Sequence, residues 1–190
     1  MRIIAGEKRG MRLLSPKGWA SRPITDRVKE SLFSVLLKYD LLDGRRVADL
    51  FCGVGSLGLE ALSRGAKSGI FVEQDTKIIG ILKRNINKAG FVKESKVINA
   101  DAFKIGAPVD KQKYDLVFVD PPYVRTDNVG QDSPLSGLLK VLAEQVSPGG
   151  IVVVRTNRRT ELLDGYGRLQ IIERRQWGTM AVTILQQGSR

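Results

Sequence analysis

The stretch Asp49-Leu-Phe-Cys-Gly-Val-Gly-Ser-Leu-Gly58 decides the fold. It follows Arg46-Val-Ala, so a short apolar strand runs straight into a glycine-rich turn. Gly53, Gly55 and Gly58 satisfy GxGxxG, and the pattern predicts a helix over residues 56–64. Glycines so spaced allow a tight turn and a close backbone approach to a ligand at a helix N-terminus. Outward from this turn, strand and helix alternate. Gly69-Ile-Phe-Val-Glu73, Lys96-Val-Ile-Asn-Ala100, Tyr114-Asp-Leu-Val-Phe-Val-Asp120 and Gly150-Ile-Val-Val-Val154 read as strands. Ile78, Leu82 and Ile86 mark a helix over residues 75–89, and Leu135, Leu138, Leu139, Leu142 and Val146 mark another. Short, nearly continuous apolar strands are those of a parallel sheet buried on both faces, so the fold class is α/β. Residues 168–176 and 179–186, around Gly178, read as a closing antiparallel hairpin.

The N-terminal residues read differently. Arg2-Ile-Ile-Ala and Met11-Arg-Leu-Leu flank a turn from Gly6 to Gly10 and predict a small β-hairpin. A loop follows, marked by Pro16, Gly18 and Pro23. Thr25 then suits the N-cap of an amphipathic helix over residues 26–39. This divides the chain into a basic N-terminal hairpin extension, residues 1–24, and a main domain, residues 25–190. Residues 124–134 are polar and read as an irregular, mobile loop.

Composition bounds the chemistry. The chain of 190 residues has no His, which excludes a His base, a His-activated nucleophile and a His metal site. A single Cys allows neither an intrachain disulfide nor a Cys-cluster zinc site, and no metal is expected. No apolar run approaches the roughly 18 residues of a membrane span, and the N-terminus lacks a signal-peptide core. A cytoplasmic protein with no membrane partner is expected. The net charge is +11, and it is unevenly placed. Residues 1–30 hold eight Lys and Arg against three acids, and residues 155–190 hold seven Arg against three acids. The ends thus carry +9, which points to an anionic partner held by the ends of a nearly neutral core.

At the glycine turn, Glu73 can accept hydrogen bonds from both hydroxyls of a ribose. Dinucleotides and S-adenosylmethionine both fit that pattern. A carboxylate at Asp49 would repel a pyrophosphate but suit an ammonium, and residues 47–63 contain no Lys or Arg. Asp49 could instead cap the helix. Asp101-Ala102 follows the third strand; Asp101 could accept from an adenine amino group or cap the next helix. Asp120-Pro-Pro-Tyr123 is the most specific signal. The prolines stiffen the turn and remove amide donors, which leaves the Pro121 carbonyl for a ligand. Carboxylate and carbonyl form an acceptor pair for an exocyclic NH2, and Tyr123 offers a flat face for a base. Cys52 reads as a small buried residue rather than a nucleophile.

The Gly turn, Glu73, Asp101 and Asp120-Pro-Pro-Tyr123 resemble class I S-adenosylmethionine-dependent amino-methyltransferases. Arg2-Ile-Ile-Ala-Gly6, Gly10-Met-Arg-Leu13 and Arg22-Pro-Ile-Thr-Asp-Arg-Val-Lys-Glu-Ser-Leu-Phe33 narrow the resemblance. They are similar to bacterial 16S ribosomal RNA guanine-N2 methyltransferases of the RsmD type, as are Leu59-Glu-Ala-Leu-Ser-Arg-Gly-Ala66 and Gly178-Thr179. The resemblance runs from Arg2 to about Leu185. It implies a seven-stranded Rossmann-like sheet with the hairpin extension, and a guanine N2 in the RNA of the small subunit as target. It implies cofactor binding by Asp49, Gly53, Gly55, Glu73, Asp101 and Ala102, and base binding by Asp120, Pro121 and Tyr123. Arg22 and Thr25 would lie near the site. Arg2, Lys8, Arg9, Arg12 and Arg22 would grip RNA, with the protein acting as a monomer. The chain departs from the pattern at Cys52, where Ala or Ser is common, at the 124–134 loop, and at Arg155, where an acidic or neutral residue is expected.

Three other readings compete. A DNA adenine-N6 methyltransferase would use the same amine chemistry. An oxidoreductase leaves Asp120-Pro-Pro-Tyr123 unexplained, and a non-enzymatic RNA-binding module would bind no cofactor.

Overall fold

A computed structural model describes residues 1–16, 24–110, 112–126 and 129–188. Five parallel strands form its centre: β1 (Arg46–Leu50), β2 (Ser68–Glu73), β3 (Ser95–Asn99), β4 (Tyr114–Val119) and β5 (Val146–Asn157). Three more extend the sheet antiparallel: β6 (Gly165–Tyr166), β7 (Leu169–Trp177) and β8 (Met180–Gln187). The order is β3-β2-β1-β4-β5-β8-β7-β6. Among the described residues, eight strands stand where seven were expected, because the two-residue β6 adds an outer edge to the predicted β7–β8 hairpin.

Successive residues of the central strands feed two separate cores. Val47, Phe71, Leu116, Phe118, Ile151 and Val153 pack on one face, with helices α1 (Asp26–Leu37), α2 (Ser56–Ser63) and α3 (Thr76–Ala89). Ala48, Leu50, Val72, Val117, Val119, Val152 and Val154 pack on the other, with α4 (Ala102–Ile105) and α5 (Pro134–Gln145). Both faces being covered is the reason these strands read as unbroken apolar runs. Helix starts follow capping chemistry: the side chains of Thr25, Asp75 and Ser133 each accept from a backbone N–H of the following turn.

The N-terminal hairpin differs from expectation. Among the described residues it is a single bridge between Arg2 and Arg12, supported by Ile3 N–H donating to Met11 O and Gly10 N–H to Ile3 O. Ladder growth stops because Ala5 N–H, next in the alternation after Ile3, finds another acceptor, and Met11 N–H turns back to Lys8 O. Ile4 N–H and Ala5 N–H both donate to the Glu60 carboxylate, and Leu14 N–H donates to Asn85 Oδ1. Ile3 and Leu13 meanwhile enter the α1–α3 core.

One buried ionic hub holds this corner together. Glu60 is fully buried, and Lys29 lies 3.4 Å from its Oε2. Arg64 Nε donates to its Oε1 at 2.8 Å. Lys29 Nζ also donates to Arg2 O at 2.6 Å and to Ser56 Oγ at 3.2 Å. Burial pushes the Lys29 ammonium pKa down, while Glu60 pulls it back up.

Candidate active site

In the strand order, β1 lies between β2 and β4, so connections leave it in opposite directions. Ligands bind outside the carboxyl ends of strands at such a reversal. A cavity of about 660 Å³ opens there. Its wall includes Asp49 and Phe51 to Val54 from β1 and its turn, Glu73 from β2, Ala100 and Ala102, Asp120 to Tyr123 after β4, and Arg155 and Asn157 from β5.

The glycine turn is built by close packing. Gly55 has φ of 87° as the N-cap of α2, and a Cβ there would stand 2.6 Å from Leu82. Gly58 lies against the Phe71 ring, which a Cβ would meet at 2.4 Å. Gly53 reaches the cavity wall, whereas Gly55 supports the turn from behind. Phe51 sits at φ of 57°, an uncommon backbone for a bulky residue, and its ring meets Phe103 at 4.7 Å.

Both carboxylates of this turn are organised by backbone amides. Asp49 Oδ2 accepts from Gly58 N–H at 2.8 Å, so it caps α2 while lining the cavity. Burial raises its pKa well above the usual carboxylate range; the Gly58 N–H opposes this, and Asp120 and Glu73 add to it. Glu73 Oε2 accepts from Gly53 N–H, and Oε1 accepts from Gln74 and Asp75 N–H. Each carboxylate oxygen has two lone pairs, so with three of the four taken Glu73 keeps one, on Oε2, for a hydroxyl donor. Asp101 Oδ1 accepts from Phe103 N–H as the N-cap of α4, and the wall is formed by its neighbours Ala100 and Ala102. Burial pushes the Cys52 thiol well up, reinforced by Asp49 and Glu73, which suits a packing role.

Beyond β4 the geometry is that of an acceptor site. Asp120 N–H donates to Leu50 O, anchoring the turn to β1. Arg155 Nε donates to Asp120 Oδ1 at 2.6 Å. Among the described residues, no donor reaches Asp120 Oδ2 or the Pro121 carbonyl oxygen. Tyr123 opens the 3-10 turn Tyr123–Arg125, whose end is tied down by Thr126 donating through N–H and Oγ1 to Tyr123 O. The polar stretch read as irregular is therefore anchored at its start, and Thr160 Oγ1 donates to Thr126 O from the segment after β5.

Residues 1–186 match the family described as "Conserved hypothetical protein 95". The chain belongs to this family. It is 35% identical over 188 residues to the putative rRNA methyltransferase YlbH of Bacillus subtilis, with 97% of each chain covered. It is 40% identical over 129 residues to ribosomal RNA small subunit methyltransferase D of Haemophilus influenzae, covering 65% of this chain and 64% of that protein. Among solved structures, the putative methyltransferase yhhF of Escherichia coli superposes with a TM-score of 0.83 at 26% identity, over 100% of this chain and 99% of that one. The RsmD resemblance read from the sequence is thus borne out, and the relatives of this chain are named as rRNA methyltransferases.

The RsmD-type residues expected to hold RNA fall into three groups. Arg9 and Arg12 are exposed and make no ion pair among the described residues. Arg2 pairs with Asp26 at 2.7 Å, and Lys8 pairs with Glu7 at 2.6 Å, beside the Phe91 ring. Arg22 lies outside the described residues. Sequence reasoning missed the wall residues Met1, Phe51 and Asn157, and it noted Arg155 only as a departure. Phe51 and Asn157 could have been found by following each strand to its end and just past it. Among the described residues, no His, Cys, Asp and Glu cluster could hold a metal, and no helix is long and apolar enough to cross a membrane.

Proposed function

We propose that this protein transfers a methyl group from S-adenosylmethionine to the exocyclic N2 of a guanine in 16S rRNA of the small ribosomal subunit. The observation that carries the reading is the acceptor pair of Asp120 Oδ2 and Pro121 O, on the same cavity as the glycine turn and Asp49. The cavity fits the cofactor: Asp49 suits its ammonium, the remaining acceptor position on Glu73 Oε2 a ribose hydroxyl, and Phe51, Ile78 and Leu57 its apolar parts. When bound, S-adenosylmethionine supplies an electrophilic methyl on a cationic sulfur. Asp120 Oδ2 and Pro121 O accept the two N–H bonds of the target amine. That holds the nitrogen while its lone pair turns out of the base plane, and the carboxylate stabilises the positive charge that develops there. Tyr123 stacks on the base. The proton shed by the methylated nitrogen passes to Asp120 or to water, so no histidine is required.

The relatives' names support an rRNA target, and the basic hairpin supports binding to its phosphates. In this reading, residues 1–24 are an RNA-gripping extension of a methyltransferase domain over residues 25–190, and the enzyme works as a cytoplasmic monomer. Arg9→Ala with Arg12→Ala is expected to weaken RNA binding and flatten its salt dependence, by about 0.7–0.9 of log–log slope for each phosphate that is no longer neutralised. Filter binding across a salt series checks this, and a slope equal to the parent's would remove the hairpin from the interface.

Asp49 makes cofactor binding pH-dependent. Its raised pKa means that the free site holds a proton at acid pH, whereas pairing with an ammonium needs the carboxylate. Affinity should rise by up to about tenfold per pH unit as pH climbs toward the pKa of Asp49 in the free protein. The free protein should lose stability over the same window, because its folded state holds that proton more tightly than the unfolded chain. Calorimetry of Asp49→Asn should show weak binding without this pH slope. The proposed activity itself is tested by offering labelled S-adenosylmethionine with purified small subunits, duplex DNA or neither. Label in the RNA supports it, and label in DNA alone refutes it.

A further inference from the structure

We propose that Arg155 is the positioning residue of the methyl-accepting site: its ion pair fixes the Asp120 carboxylate, ionised and in one orientation, leaving Oδ2 for the target amine. The inference rests on the reading of Asp120 as the group that receives that amine.

The geometry is specific. Arg155 stands on β5, the strand paired with β4, whose end carries Asp120. Both side chains are largely buried, at 12% and 20% exposure, and both line the cavity. The ion pair is short, at 2.6 Å, and uses Nε against Oδ1 alone. A fully bidentate pair would have engaged both carboxylate oxygens. Here one oxygen is held by the protein, and the other has no donor among the described residues.

A carboxylate in this place needs such a partner. Burial favours its protonated form, and Arg155 is the group that opposes burial. Among the described residues, the charged groups facing Asp120 are Arg155 from β5 and Asp49 from β1; Glu73 of β2 acts on Asp49 and Cys52, and Tyr123 is the other titratable group of the turn. Asp49 is a like charge, so it cannot keep Asp120 ionised. A protonated Asp120 would point an O–H at an N–H donor, and the acceptor pair with Pro121 would be broken.

The test uses Arg155→Gln, Arg155→Lys and Asp120→Asn in the full chain. Carbon-13 carboxyl titration of the free protein, with the Asp120 signal assigned by Asp120→Asn, reads the pair without any activity. In Arg155→Gln that carboxyl should titrate about one pH unit or more above its wild-type position, and Arg155→Lys should restore most of the difference. With small-subunit RNA, the acid limb of the kcat profile should move up by the same amount. The kcat on the acid side should fall, by at most about tenfold per pH unit of that displacement, and recover as pH rises, while KM for RNA changes little. An unmoved carboxyl titration overturns the proposal, as does a rise in KM with kcat and its pH profile unchanged, which would make Arg155 an RNA-binding charge. Retained activity in Asp120→Asn would instead refute the underlying role of Asp120, whatever the Arg155 variants show.

Discussion

Replacing Asp120 by asparagine is expected to lower methyl transfer by about 10²–10³-fold or more, with cofactor affinity nearly unchanged. The substitution is almost isosteric, so the argument is electronic. Arg155 Nε is a donor fixed against Oδ1. The asparagine must therefore turn its carbonyl oxygen to Arg155 and present its NH2 to the target amine. A donor then faces a donor where an acceptor is needed. The Pro121 carbonyl alone cannot hold both N–H bonds, and nothing offsets the charge developing on the nitrogen. Asp49, Glu73 and the glycine turn stay in place, so calorimetric binding of S-adenosylmethionine should persist. Single-turnover transfer to small-subunit RNA, alongside that titration, decides the matter. Near-normal transfer would remove Asp120 from the chemistry.

The largest expected loss of stability belongs to Glu60→Ala. Glu60 is fully buried and serves four donors: Ile4 N–H, Ala5 N–H, Lys29 Nζ and Arg64 Nε. Its removal leaves the buried Lys29 ammonium without its counter-charge, and breaking a buried pair in this way costs about 3–5 kcal/mol. For a chain of this size that corresponds to a fall in Tm of roughly 6–20 °C. Pairing Glu60→Leu with Lys29→Met should recover only part of the loss. The double change removes the stranded charge, but the amides of Ile4 and Ala5 still lack an acceptor. A drop of less than about 2 °C in Glu60→Ala would show that the hub contributes little. Because the hub ties the N-terminal segment to α1 and α2, the same variant should also lose part of the RNA affinity proposed for Arg9 and Arg12.

Much of this was legible in the sequence, and the exceptions share a cause. The five parallel strands showed as apolar runs because both faces of the sheet are covered, and the order of Asp49, Gly53, Glu73 and Asp120 along the chain mapped directly onto strand ends. Local chemistry also read true at Thr25, whose hydroxyl caps α1. What failed depended on partners distant in sequence. The hairpin shrank to one bridge where Glu60, 55 residues from Ala5, takes the amide that would have continued the ladder. Nothing local in the sequence marks Lys29 and Glu60 as charges that are buried together. Asp101, open between an adenine amino group and capping, does cap α4 through Oδ1, with a partner only two residues on. Arg155 looked like a departure until β5 was seen to lie beside β4, which places it on Asp120.

In the proposed reaction, an acceptor pair on Asp120 and Pro121 directs methyl transfer to the N2 of a guanine in small-subunit RNA. Mass mapping of modified nucleosides in that RNA, from cells with and without the protein, tests it most directly. The expected result is an N2-methylguanosine that disappears without the protein and returns with the wild-type chain but not with Asp120→Asn. An unchanged set of modifications, or the loss of an N6-methyladenosine instead, would contradict it.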